Sequence, residues 1–300
     1  MKHYYETSLY LFIRKFFFRY IGIPYVYRKT AKYQILNSMD SIQYILDNHC
    51  SVSRYGDGEF SVIWGSGNGF QQPNQRLAQL LKKVIEADDA PNHMIGIPVY
   101  IRDFSSLRNP YAFWPVYVAR NYYRLKTLIS PQNKYLNASM TRFYYEMQDR
   151  SHSEEQLSLL KKIWDNRDIV IVEGIQTRSG IGNDLYDNAK SVQRILGPAT
   201  NAIDMYDEML EAITKNVSKD KLVLLSYGMV ATVLAYDLAK LGYWAVDIGH
   251  LDLEYEWFKR KAEERVQVKG KYANEVQGGN DVAECTDPIY LSQILVDITK

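Results

Sequence analysis

Three stretches of the chain carry side chains that could do chemistry. In RYGDGEF, residues 54–60, Asp57 and Glu59 flank Gly58. Two carboxylates one residue apart, on a turn loosened by Gly56 and Gly58, can share one hard cation. Mg²⁺ and Mn²⁺ take oxygen donors and commonly bridge protein carboxylates to substrate phosphates. An ordinary acidic turn has the same composition. In EGIQTRSGIGND, residues 173–184, Gly180 and Gly182 stand beside Arg178 and end in Asn183 and Asp184. Backbone N–H groups with an arginine make an anion site where such a loop opens a helix. A tight connection capped by Asn183 reads the same way. In DIGHLDLEYEWF, residues 247–258, His250 could ligate a metal, act as a base or donate to phosphate. Asp252, Glu254 and Glu256 alternate with apolar residues, as in an amphipathic strand or a loop of candidate bases. Ser226-Tyr227-Gly228 could offer further N–H groups. Acids, an anion loop and a histidine together suit a substrate bearing a diphosphate.

These stretches need a scaffold that gathers them. Helical spacing of apolar residues predicts helices from Leu9 to Tyr20, ended by Gly22 and Pro24, and over 39–48, 74–88, 115–128, 153–166, 206–216 and 230–241. Strands are expected over 50–55, 94–99, 135–140, 169–172, 222–225 and 243–248. A helix is expected over 184–196, stopped by Gly197-Pro198. Ile169-Val-Ile-Val172 is a β-branched run of the kind buried on both faces of a sheet. Strand and helix alternating in this way predict an α/β fold, a single Rossmann-like and mostly parallel sheet flanked by helices. Ligands of such sheets bind outside the carboxyl ends of the strands, where all three stretches fall. Residues beyond about 259 are expected to wrap the sheet.

The 300 residues hold 36 Lys and Arg against 35 Asp and Glu, a net charge of +1. That balance argues against general nucleic-acid binding. Cys50 and Cys285 stand far apart and fit free thiols, with neither disulfide nor zinc spacing. The average hides an asymmetry. Residues 1–33 carry +6 and eleven Tyr and Phe, leaving −5 on the rest. No run approaches the roughly 20 apolar residues of a membrane span, and no cleavage site follows. A cytoplasmic protein is expected, with a basic aromatic helical extension over 1–33 and one domain over 34–300. The extension fits peripheral contact with the inner face of the membrane, or packing on the sheet or on a second copy in a homodimer.

RYGDGEF, VEGIQTRSGIGNDLYDNAKSVQRILGP, ATVLAYDL and GYWAVDIGHLDLEYEWF occur in that order. Together they resemble the bacterial glycosyltransferases of the GT-D fold, over roughly residues 35–260. The resemblance implies a metal-dependent enzyme that moves a hexose, typically glucose, from a UDP-sugar to a surface glycan on a lipid carrier or glycoprotein. It implies an Asp-x-Glu pair, Asp57 and Glu59, holding Mn²⁺ (or Mg²⁺) with His250 near metal and diphosphate. Arg54, Gly56, Arg178, Gly180, Gly182, Asn183, Asp184, Tyr227, Gly228 and Asp247 are then expected around the donor, and Asp252 or Glu254 among the catalytic acids. A metal-dependent phosphohydrolase of nucleotide diphosphates uses the same loops. A membrane-docked scaffold with a degenerate site is the non-catalytic alternative.

Overall fold

The computed structural model describes residues 15–109, 113–273, 276, 278–279 and 282–300. Within them lie β1 (Gln34–Ile35), β2 (Ser51–Arg54), β3 (His93–Ile97), β4 (Lys134–Asn137), β5 (Asp168–Gly174), β6 (Ser191–Gly197), β7 (Leu222–Ser226), β8 (Trp244–Asp247) and β9 (Ile294–Asp297). They form one sheet in the order β1-β4-β3-β2-β8-β7-β5-β6-β9. The neighbouring strands pair in parallel. The α/β class expected from the alternation is therefore the one observed.

The strand sequences explain the layering. Successive side chains of a strand point to opposite faces. Val170 and Val172 of β5, with Val223 and Leu225 of β7, enter one core. Ile169, Ile171, Leu222 and Leu224 enter the other. The first core is closed by α4 (Gln75–Glu86), α7 (Tyr206–Asn216) and α8 (Val230–Lys240). The second is closed by α2 (Ser38–Asn48), α6 (Ser153–Lys161) and α9 (Leu251–Lys259). Two short helices complete the inner set: α1 (Ile23–Thr30) and α3 (Asp57–Ile63). The helix α5 (Phe113–Leu125) packs on α1, and α10 (Pro288–Gln293) precedes β9.

Four expectations are corrected. The helix over 184–196 is not formed. Residues 191–197 are β6, because Arg194 reaches buried Glu173 of β5 and the backbone pairs with β5 and β9. Residues 251–259 are a helix, not an amphipathic strand. Gly22 and Pro24 do not end the N-terminal helix. A π-helical turn over Phe18–Gly22 carries the chain past Gly22, and Pro24 follows directly in the first turn of α1. Finally, the segment beyond 259 does more than wrap the sheet, since β9 becomes its edge strand. The expected start of the N-terminal helix, residues 9–14, lies outside the described residues.

The sheet has two halves, β1 to β4 and β5 to β9, joined where β2 lies against β8. That ladder is short, with Val52 opposite Val246. Side chains reinforce it. Ser53 Oγ donates to the carbonyl of Thr232 on α8, and Thr232 Oγ1 donates to the carbonyl of Arg54. With its single proton given to Thr232, the Ser53 hydroxyl must accept from His93 Nε2, 2.7 Å away. Burial pushes the His93 imidazole down to about 4. The unfolded chain therefore takes up a proton that the folded chain refuses. The stability tied to His93 is full above the ordinary imidazole value and is lost as pH falls toward 4. We expect His93→Gln to remove about 2 kcal/mol of the parent's loss between pH 7 and pH 5, read from urea unfolding at both pH values.

Candidate active site

In an open parallel sheet the binding crevice lies where the chain connections depart in opposite directions from adjacent strands. Here that place is the carboxyl end of β2 and β8. The chain leaves β2 toward β3, and it reaches β8 from β7 on the other side. A cavity of about 530 Å³ opens there, a size suited to a nucleotide-sugar. Arg54, Gly56, Asp57, Glu59, Asp247, Gly228 and His250 line it. A smaller recess adjoins it through Phe70, Gly228, Met229, Gly249 and His250, and runs under Tyr227, Thr177 and Asn201.

Asp57 and Glu59 sit in the first turn of α3, not on a free turn. Asp57 is exposed to the cleft. Glu59 Oε2 accepts the N–H of Gly56 at 2.7 Å, which fixes the carboxylate beside the helix start. Burial pushes Glu59 up to about 7, with Asp247 and Asp57 adding repulsion. A carboxylate held at that cost is relieved by a nearby positive charge.

Arg54 and Asp247 form the wall between the strand ends. Arg54 Nε and Nη2 both donate to Asp247 Oδ1, at 3.2 and 3.1 Å. Arg54 Nη1 donates to the carbonyl of Ala138 and to Thr141 Oγ1. Burial raises the Asp247 carboxyl, and Arg54 pulls it back only in part. Gly249 has φ +50°, and a Cβ there would stand 1.8 Å from Arg54 Nη2. Only glycine lets the loop pass over the guanidinium. His250 then occupies the residue before the first turn of α9 and lines both compartments.

Other expected site residues are turned elsewhere. Arg178 donates to the carbonyls of Gly270 and Ala283. The N–H of Gly180 goes to Asp252 Oδ1, and Asn183 Nδ2 bonds both Asp252 and Glu256. Asp184 accepts from the Tyr255 hydroxyl and lies 3.3 Å from Lys259. Among the residues that line the two compartments, Arg178, Gly180, Gly182, Asn183 and Asp184 do not occur. The loop expected to bind an anion instead clasps α9 and the segment after it, because no helix follows the loop to aim N–H groups outward.

The three acids of α9 face the interior. Lys271 Nζ binds both oxygens of Asp252, at 2.8 and 2.6 Å, although Asp252 also touches the smaller recess. Glu254 Oε1 accepts the N–H groups of Tyr144 and Tyr145, and burial raises its carboxyl. Glu256 bonds Asn183 and Arg260. None of the three carboxylates is presented to the larger cavity. The described residues also hold no group of three or more His, Cys, Asp or Glu within reach of one ion. His250 is therefore not gathered with Asp57 and Glu59 as a third ligand. Two carboxylates still fit Mg²⁺ or Mn²⁺, which complete their shells with water and substrate phosphates.

Sequence reading missed several lining residues. Arg142 follows the end of β4, and Arg265 pairs with Glu146 at 2.8 Å; all three line the cavity. The strand-end rule applied to β4 would have found Arg142. Asn68 and Phe70 come from the Gly-Ser-Gly-Asn-Gly loop after α3, and the Phe70 carbonyl accepts the N–H of Asn201. That glycine-rich loop was the available signal.

The glycosyltransferase GT-D fold family model matches residues 52–276. The glycosyltransferase GlyD of Streptococcus pneumoniae serotype 4 (strain ATCC BAA-334 / TIGR4) is 32% identical over 268 residues, 88% of this chain and 32% of GlyD. The probable glycosyl transferase Gly of Streptococcus gordonii is 31% identical over 274 residues, 89% of this chain and 39% of Gly. This chain thus spans 32% and 39% of the length of those two relatives. Among solved structures, a domain of unknown function 1792 described as having a distinct glycosyltransferase fold superposes with TM-score 0.86, at 31% identity. It covers 92% of this chain and 99% of that one. A new glycosyltransferase of the same domain type from Streptococcus sanguinis gives 0.81, at 30% identity, over 88% and 99%. With strand-end acids on a nucleotide-sized cavity at the switch point, the chain belongs to the glycosyltransferase family of the GT-D fold.

Proposed function

We propose that this glycosyltransferase moves a hexose, with glucose the first candidate, from a UDP-sugar to a hydroxyl of a growing glycan, on a lipid carrier or a glycoprotein. The reading rests on one observation: Asp57, Glu59 and His250 share a cavity of about 530 Å³ with Arg54, Arg142 and Arg265. In the transfer, the bond between the sugar's anomeric carbon and the diphosphate breaks, and one to the acceptor oxygen forms. UDP leaves with the electron pair, and the proton of the acceptor hydroxyl passes to solvent. Asp57 and Glu59 would hold Mn²⁺ or Mg²⁺, whose charge offsets that building on the departing diphosphate. His250, which lines the same cavity, would donate from its ring to a phosphate oxygen. Arg142 and Arg265, beside their partners Glu254 and Glu146, would offer further donors along the same wall. The smaller recess beside Tyr227 and Asn201 supports a place for the base and ribose.

UDP-glucose, UDP-galactose and UDP-N-acetylglucosamine, each with Mn²⁺, Mg²⁺ or EDTA, provide the test. We expect one sugar nucleotide to raise the melting temperature and to release UDP and free sugar slowly in metal, and both effects to vanish in EDTA. Release of UMP would favour the phosphohydrolase instead. No stabilisation by any of the three, with or without metal, would count against a UDP-sugar donor.

A further inference from the structure

We propose that α1, the turn before it and α5 together form a face that docks on an anionic lipid bilayer, with the cleft mouth at its border. Residues 15–33 contain Lys15, Arg19, Arg28, Lys29 and Lys32 and no acid. Residues 113–128 contain Arg120, Arg124 and Lys126 and no acid. All eight bases are exposed. The two segments pack on each other, and Arg120 stands over the ring of Phe18 at 5.9 Å.

Apolar groups are interleaved with this charge. Phe17, Tyr20, Ile21 and Tyr25 on the first segment are more than half exposed, as are Phe113 and Tyr123 on the second. Ile23 and Val26 are buried, so α1 is fixed to the body by one side and turns Tyr25 outward. A helix that packs by one stripe has no folding reason to carry aromatics on the opposite one. Rings at headgroup level with Lys and Arg beside them suit an interface of lipid and water. Among the described residues no helix is long and apolar enough to cross a membrane, so the contact is peripheral. A second copy meeting this face with its own would set eight bases against eight, which disfavours a symmetric dimer here.

The face continues into the site. Phe113 and Trp114 line the cavity, and the Tyr117 hydroxyl donates to the carbonyl of Asp57. A bilayer on α5 would thus lie beside the cavity, where an acceptor carried by a lipid emerges. The docking itself does not depend on which donor the enzyme uses.

The test is flotation of the full chain with vesicles of phosphatidylcholine, with and without phosphatidylglycerol, at low and high salt. We expect binding only with phosphatidylglycerol, weakened by salt. Each base lost should reduce partitioning about fivefold, the equivalent of about 1 kcal/mol. Arg120→Ala/Arg124→Ala/Lys126→Ala should then lose roughly a hundredfold, with an unchanged melting temperature and unchanged donor hydrolysis in solution. Phe17→Ser/Tyr20→Ser should weaken the binding that survives high salt. Equal binding to both vesicle types, no binding, or a triple variant that floats as the parent does would overturn the proposal. So would a dimer in solution that the triple variant dissolves.

Discussion

Glu59→Gln is expected to lose roughly a hundredfold or more in turnover at saturating Mn²⁺, while its melting temperature stays at or slightly above that of the parent. The two halves of this expectation come from one carboxylate. A Gln side chain keeps an oxygen that can accept the N–H of Gly56, so the start of α3 is preserved. It also removes a carboxyl that its surroundings have already pushed up to about 7, so little stability rests on its charge. What disappears is the anionic oxygen a hard cation requires. UDP release with a sugar donor, measured beside a thermal melt, separates the two. Retention of most activity in Mn²⁺ buffer would remove Glu59 from the metal site.

Arg194→Met should destabilise the protein by about 3–5 kcal/mol at neutral pH, since it leaves Glu173 in the core with the Ser179 N–H but without its counter-charge. Arg194 Nη1 donates to Glu173 Oε1 and Nη2 to the carbonyl of Ser179, and Nε reaches Gln293. Burial already raises the Glu173 carboxyl, and Arg194 is the first influence that lowers it. Without the arginine the folded state favours protonated Glu173 far more than the unfolded chain does. The variant's stability should therefore be greatest in acid and fall as pH rises through the displaced value. Urea unfolding at pH 5 and pH 8 reads that slope. Glu173→Gln/Arg194→Met should recover most of the loss and flatten the slope. A single variant with a pH-independent deficit would mean that Glu173 is not the stranded charge.

That ion pair also shows where sequence stops being legible. Tyr186, Ala189, Val192 and Leu196 recur at helical spacing, so 184–196 reads as a helix. Its final residues are a strand because Glu173 and β9, 21 and about 100 residues away, offer partners that no local window contains. Helix α9 hides itself for the opposite reason. Leu251 to Trp257 are all buried, the acids as well as the apolar residues, so no polar face marks a helical period. By contrast, β5, β7 and β8 were plain from their β-branched and apolar runs. The position of Asp57, Glu59 and His250 followed from the strand-end rule. Arg178 and Gly180 obeyed the same rule and still missed the cleft, because their donors bind Gly270, Ala283 and Asp252. Spacing tells which loops reach the sheet edge. It does not tell which way a loop's donors turn once a distant segment competes for them.

The junction of β2 with β8 has a consequence for how the molecule is assembled in time. Strands β2 to β4 follow one another along the chain, as do β5 to β8 on their side, and each set closes through loops of moderate length. Val52 meets Val246, and Arg54 meets Asp247, only across some 190 residues. Contacts so distant along the chain carry the larger closure entropy and tend to form last. The cavity opens across that seam, with walls drawn from both sides of it, so it is complete only when the two halves meet. Each half can therefore hold its secondary structure and much of its core before any donor site exists. Activity is a property of the completed seam, and it will lag behind the recovery of helix and strand whenever the chain refolds.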